Sequence, residues 1–148
     1  LAWFKKLASN LRRGVALVAD YGLARADYYS PARHTGTLQS YAEHRVLSSP
    51  LAHPGSADLT THVEWTSLAE RAEKHGLTIA GFTDQHHFLT GLLAGHSELA
   101  QDRPRALQTF LHPEFLGTRF QFLALAKDFS GSLGGYQFAR DPRRPPGR

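Results

Sequence analysis

Val15-Ala16-Leu17-Val18-Ala19-Asp20-Tyr21-Gly22 is the stretch on which the fold turns. Its first five residues are apolar without alternation. A short continuous apolar run behind a glycine (Gly14) suits a strand buried on both faces, as in a parallel sheet. In open α/β sheets ligands bind beyond the carboxyl ends of the strands. Asp20 and Tyr21 stand at such an end and are candidate substrate-binding residues. For Asp20 the alternative is a turn residue capping Gly22.

Working outward, Leu1 to Arg13 reads as a helix, with Phe4, Leu7, Ala8 and Leu11 on one apolar face and Gly14 as its stop. Trp65 to His75 reads as a second helix closed by Gly76, with Ser67-Leu68-Ala69-Glu70 resembling a capping box. Leu77 to Thr83 is a strand candidate. Asp84 can cap a helix carrying Phe88, Leu89, Leu92 and Leu93 and ended by Gly95. A helical stretch starts at Ser97, and Pro104 interrupts it or opens a short helix with Leu107, Phe110 and Leu111. Arg119 to Lys127 is a strong strand, in which Phe120 and Phe122 read as core. Residues 128–148 are rich in Gly, Pro and Arg and read as a flexible tail. Helices alternating with strands place the chain in the α/β class. Three strands leave exposed sheet edges, so further strands or a partner are expected to complete the sheet.

Between the first strand and the second helix lies residues 23–62, mostly irregular by pattern, with four His and three Tyr. Loops of this length are usually functional or disordered. The aromatic content argues for an ordered insertion folded over the strand ends. Asp58, Thr60 and His62 alternate, so in extended chain they share a face. An Asp and a His aimed together can orient a substrate or pass a proton; the alternative is a hydrogen-bonded brace for the loop. Tyr41 and His44, three apart, line a pocket if that segment is helical, or pack the insertion onto the body.

Composition excludes several classes. With 148 residues, 41% hydrophobic and 20% charged, the chain fits one globular domain. There is no cysteine, hence no disulfide scaffold, zinc-thiolate site or Cys nucleophile. Nine His include no H-x-x-x-H pair within one helical element, so no metal site is expected. No G-x-S-x-G elbow supports a hydrolase. No apolar run approaches the roughly 20 residues that span a bilayer. The net charge is +4, and residues 140–148 supply +3 of it. A basic tail on a near-neutral body argues against a nucleic-acid binder, which needs a basic face. No Met opens the chain, and its first residues read as a helix interior, so it is expected to be a fragment.

Taken in order, Val15 to Gly22, Asp27-Tyr28-Tyr29-Ser30-Pro31 with Arg33, Gly36-Thr37-Leu38, Tyr41 with His44, Pro54-Gly55, Asp58 to Trp65, Gln85 with Phe88-Leu89, and Leu116 to Leu123 form an ordered set. From Trp3 to Lys127 it resembles the C-terminal half of the MidA-like SAM-dependent methyltransferases, the family of the mitochondrial arginine methyltransferase that assists respiratory complex I assembly. Glu64 and Trp65 stand where that family usually shows Asp and Phe, and Leu116 and Thr118 replace a usual Met and Glu. The resemblance implies the C-terminal part of a class I, Rossmann-like sheet. Residues 14–22 would be its fifth strand and 77–83 and 119–127 its last two, the final one antiparallel. Family members handle the cofactor with a Gly-rich loop after the first strand, an acidic residue after the second and an Asn-Glu pair near the fourth. This chain has no G-x-G-x-G. The resemblance therefore implies S-adenosyl-L-methionine as cofactor of the intact protein, held by an N-terminal half that acts as partner to this one. It implies a protein substrate, arginine first, and no metal. It also implies a cytoplasmic location, or the mitochondrial matrix in a eukaryote. The other class of function open at this point is a non-catalytic substrate-recognition or assembly module.

Overall fold

The computed structural model describes residues 2–51, 53–96, 104–112 and 116–145. The helix expected from Ser97 lies largely outside them. Helix α1 (Ala2–Asn10) leads into strand β1 (Gly14–Leu23). A short helix α2 (Arg25–Tyr28), strands β2 (Gln39–Ala42), β3 (Arg45–Val46), β4 (Asp58–Thr60) and β5 (Val63–Glu64) follow. Then come α3 (Trp65–Lys74), β6 (Thr78–Asp84), α4 (Gln85–Ala94), α5 (Pro104–Leu111) and β7 (Phe120–Lys127).

The main sheet has the order β5-β1-β7-β6. Strand β7 is antiparallel to both neighbours, from Gly14↔Lys127 to Tyr21↔Phe120 on one side and Thr78↔Ala126 to Asp84↔Gln121 on the other. Strands β1 and β6 are thus parallel to each other, and their carboxyl ends share one edge. The unalternating run of β7 is enclosed: Leu123, Ala124 and Leu125 are fully buried. The run of β1 is not buried on both faces as expected: none of Gly14 to Leu23 is fully buried and Leu17 is 54% exposed, on a strand whose outer edge is largely uncovered among the described residues. On one face Leu123 and Leu125 pack with Phe4, Ala8, Trp65 and Ala72 from α1 and α3. On the other face, Phe122 stacks flat on Phe88 of α4, with centroids 4.3 Å apart. Phe120 and Phe122 are only half-buried, and the residue between them, Gln121, is buried instead. Helix α4 is less enclosed than its pattern implies: Gly91 is its buried residue, and Leu92 is exposed.

Helix ends follow local chemistry. Asp84 accepts the His87 N–H (3.0 Å) and caps α4 as expected. The expected box at Ser67 is not the cap of α3. Glu64, just before the helix, accepts from the N–H groups of Thr66 (2.8 Å) and Ser67 (3.1 Å). At the other end Gly76, at φ 78°, sits in a Schellman turn in which Leu77 N–H reaches Ala72 O and Gly76 N–H reaches Glu73 O.

Two readings of the sequence need correction. The insertion is not irregular throughout: β3-β2-β4 form a second, three-stranded sheet. Its tightest turn puts Glu43 and His44 at φ 49° and 62°, the geometry of a two-residue hairpin. Tyr41 and His44 therefore lie on a hairpin and not on a helix. Nor are residues 128–145 a frayed tail. Pro142 is fully buried, Arg143 pairs with Glu73 (2.5 Å), and Arg140 N–H donates to Phe82 O (2.8 Å) along the outer edge of β6. The reason is the absence of side chains at the contact. Tyr136 lies on Gly81 and Gly135 on Phe88, where a Cβ would collide. The chain thus covers one of its own sheet edges. The outer edge of β1 is different: β5 pairs only with Gly22 and Leu23, so Gly14 to Tyr21 have no strand beside them there among the described residues.

Candidate functional site

Polar chemistry gathers at the shared carboxyl edge of β1 and β6, under the small sheet. The organising residue is Gln121. Its buried amide oxygen accepts from Gly22 N–H (2.9 Å) and from the Trp65 indole (3.1 Å), and its NH2 donates to the carbonyls of Thr118 and Arg119, each at 3.0 Å. Every hydrogen-bonding direction of the amide is used, so the end of β1, the start of α3 and the turn before β7 are tied at one point. Gly22 is required at that point, since a Cβ there would come 2.6 Å from the Trp65 indole nitrogen.

Above this knot opens a cavity of about 580 Å³. Tyr21, Tyr41, Thr60 and His62 line it, with Trp65 and Phe82 among its apolar walls. A neighbouring cavity of about 500 Å³ shares Tyr21, Tyr41 and Thr60 and adds His44, Asp58 and Glu43. The two differ in charge. The larger is lined by Arg119, Arg140 and Arg144 and by no carboxylate; the smaller holds two carboxylates.

The expected site residues come together in part. Tyr21, Tyr41 and Thr60 form the common wall. His62 lines the larger cavity alone, and Asp58 and His44 the smaller alone. Asp58 and His62, expected to be aimed together, line different cavities. Asp20 lines neither cavity; its carboxylate accepts the N–H of Tyr21 (2.8 Å). His62 packs edge-on against Tyr21, centroids 5.4 Å apart, and its Nδ1 is buried with no hydrogen-bond partner among the described residues. Burial, and after it the Arg33 guanidinium, hold this imidazole below its ordinary pKa, with Asp20 opposing. This favours the neutral ring, which can accept or donate a hydrogen bond without carrying charge.

The insertion is anchored by a polar clasp. The Thr37 hydroxyl lies 2.8 Å from that of Thr61 and 3.3 Å from Tyr28 Oη, and His62 N–H reaches it at 3.4 Å. Arg33 donates to Asp27 O (2.7 Å) and Ser30 Oγ (3.1 Å), folding the segment after α2. On the far side of the cavity Arg140 lies over the Phe82 ring, 5.2 Å from its centroid. Burial lowers its pKa and Asp84 raises it. Sequence reasoning missed Gln121 and the three arginines. Gln121 sits between two phenylalanines in an apolar run, and Arg140 and Arg144 belong to a segment whose composition reads as solvated. His86 and His87, expected to diverge, meet edge to face with centroids 5.0 Å apart, but turn to different partners: His86 Nδ1 meets Leu111 O (2.7 Å), and His87 Nδ1 lies 2.8 and 2.9 Å from the two Asp84 oxygens.

Known proteins match this arrangement. Residues 1–83 match a family described as "Putative S-adenosyl-L-methionine-dependent methyltransferase". The mitochondrial protein arginine methyltransferase NDUFAF7 of Rattus norvegicus is 32% identical over 136 residues, covering 82% of this chain and 29% of the rat protein. Its Drosophila melanogaster homologue is 32% identical over 144 residues, covering 88% and 30%. Among solved structures, one from Burkholderia thailandensis, described as a "superfamily member and likely methyl transferase" and bound to S-adenosyl-homocysteine, superposes with a TM-score of 0.80 at 28% identity. That match covers 93% of this chain and 38% of the other. The chain therefore spans a little under a third of the curated relatives it matches. The α/β sheet with its antiparallel last strand agrees with these neighbours, and the chain belongs to the MidA-like family of S-adenosyl-L-methionine-dependent methyltransferases.

Proposed function

We propose that this chain is the substrate-facing, C-terminal portion of a SAM-dependent protein arginine methyltransferase, with Asp58, Tyr41 and Tyr21 orienting the substrate guanidinium. The observation that carries the reading is the smaller cavity, where two carboxylates, Asp58 and Glu43, stand beside the rings of Tyr21 and Tyr41. Carboxylates match a guanidinium in charge and geometry, and tyrosine faces favour a cation. His62, neutral and next to the common wall, suits a hydrogen-bonding partner more than a charged one.

The residues present do not make a cofactor site by themselves. Among the described residues the strand-to-helix junctions before α3 and α4 are closed by carboxylates, Glu64 and Asp84, and the one before α2 passes through Ala24 with no side-chain cap; none of the three is a glycine-rich loop. We infer that the cofactor, which supplies a methyl group on a sulfonium, is held by polypeptide outside these 148 residues. The unpaired outer edge of β1 supports further strands there. The cofactor-holding segment is then the first partner of this chain, and a protein its substrate. The relatives are named as mitochondrial, which favours the matrix if this protein is eukaryotic and the cytoplasm if bacterial. No described helix is long and apolar enough to cross a membrane.

The test uses the full-length protein with isotopically labelled SAM and matched peptides carrying arginine or lysine. Label on an arginine nitrogen is the expected result. Label on lysine or a carboxylate, or on no peptide while the cofactor binds, would sink the reading.

A further inference from the structure

Three arginines, Arg119, Arg140 and Arg144, line the larger cavity, where several others are paired or stand apart on the surface. Arg25 holds both Glu70 oxygens, at 3.1 and 2.6 Å. Arg33 is tied to Asp27 O and Ser30 Oγ, and Arg143 to Glu73 and Asp141. Arg12, Arg13, Arg45, Arg71 and Arg105 simply extend from the surface. Arg119, Arg140 and Arg144 share one concavity, and their side chains make no hydrogen bond and no close ion pair among the described residues. Arg140 is half-buried, its guanidinium over Phe82 and within the field of Asp84, with no side-chain hydrogen bond among the described residues.

Three like charges around one space repel each other, and the repulsion is relieved when an anion enters. Guanidinium forks prefer planar carboxylates or phosphates. The cavity also has apolar walls from Trp65 and Phe82, so it admits the stem of a side chain as well as its head. Its common wall with the smaller cavity, Tyr21, Tyr41 and Thr60, sets the two subsites side by side. An extended peptide advances about 3.4 Å per residue, so side-by-side subsites take residues close together in its sequence.

We propose that the arginine-lined cavity is a carboxylate subsite that reads an Asp or Glu of the substrate within a few residues of the target arginine. This rests on the arginine-methylation reading and adds to it a sequence preference: a cation in one cavity and an anion in the next. The polarity is not interchangeable, since a basic neighbour would face three guanidinium groups.

The experiment compares three peptides with the same central arginine, flanked by glutamate, serine or lysine. Full-length protein is used for methyl transfer, and labelled peptides for binding by fluorescence anisotropy. Glutamate should exceed serine, and serine lysine, by about tenfold per step in kcat/KM, the gain of a charge-assisted fork. The double variant R119E/R144E, on exposed positions with no hydrogen bond to lose, should invert the order of glutamate and lysine. R140Q should flatten it. Equal peptides, or an order untouched by charge reversal, would overturn the proposal. A rise in the dissociation constant of S-adenosyl-homocysteine in R119E/R144E without a change in peptide order would also overturn it, by giving the carboxylate to the cofactor. If no arginine is methylated while anisotropy keeps the order and its inversion, the subsite stands and the arginine-methylation reading falls.

Discussion

The two sheets of this molecule are built on opposite terms. The main sheet is apolar on both faces, and Leu123, Ala124 and Leu125 of β7 are closed to solvent. The small sheet carries Val46 at 62% and Leu59 at 60% exposure and is held by hydroxyl contacts through Thr37 and Thr61. One is a scaffold whose stability comes from burial. The other is a polar arm whose inner side supplies Tyr41, Thr60 and Asp58 to the cavities. Stability and chemistry have been given to different parts of the chain, and the residues that join them, Gln121 and Gly22, lie at the seam.

Substitutions can break that contrast. Leu125→Ala in the scaffold should cost about 3–4 kcal/mol of unfolding free energy, and Leu59→Ala in the arm under about 0.5 kcal/mol, by urea denaturation. Similar losses would mean the arm is part of the core. Gln121→Leu at the seam leaves the Trp65 indole and Gly22 N–H without their acceptor and should cost about 2–3 kcal/mol. An unchanged midpoint would show that the amide only fills space.

Within the arm the sign should reverse. His44 pays for a left-handed backbone at φ 62°, so His44→Gly should stabilise by about 1 kcal/mol while weakening whatever the smaller cavity binds. Destabilisation would show that the His44 side chain holds the hairpin.

The gentlest probe is pH. His62 is held below its ordinary value of 6.5, so the folded state favours the neutral ring. In the window below 6.5 the unfolded chain binds the proton more readily, and stability falls with pH. It is complete above that window. The melting temperature of wild type should therefore drop more than that of His62→Gln between pH 7.5 and 5.5. Parallel curves would mean the ring is hydrated.

Much of the scaffold was legible because its signals are local. Val15 to Ala19 and Phe122 to Ala126 are unbroken apolar runs, Asp84 is an N-cap by type, and Gly76 ends a helix where only φ matters. The insertion hid its sheet because its turn uses Glu43 and His44, residues that local propensity does not place at positive φ. The C-terminal segment hid its packing because the groups that receive it, Gly81, Gly91 and Phe88, lie about fifty residues away. Separation along the chain also hid the arginine cavity, assembled from Arg119 before β7 and from Arg140 and Arg144 behind it. Tyr21, Tyr41 and Thr60 were reached, while Asp58 and His62, paired by alternation alone, line different cavities.

The most direct test of the account is the kinetic effect of Asp58→Asn on arginine-peptide methylation by the full-length protein, with cofactor affinity measured alongside. If Asp58 orients the guanidinium, the variant keeps its cofactor affinity and loses about tenfold or more in kcat/KM for the peptide. Unchanged peptide kinetics would contradict the placement of the substrate arginine in the smaller cavity, and with it the division of labour between scaffold and arm.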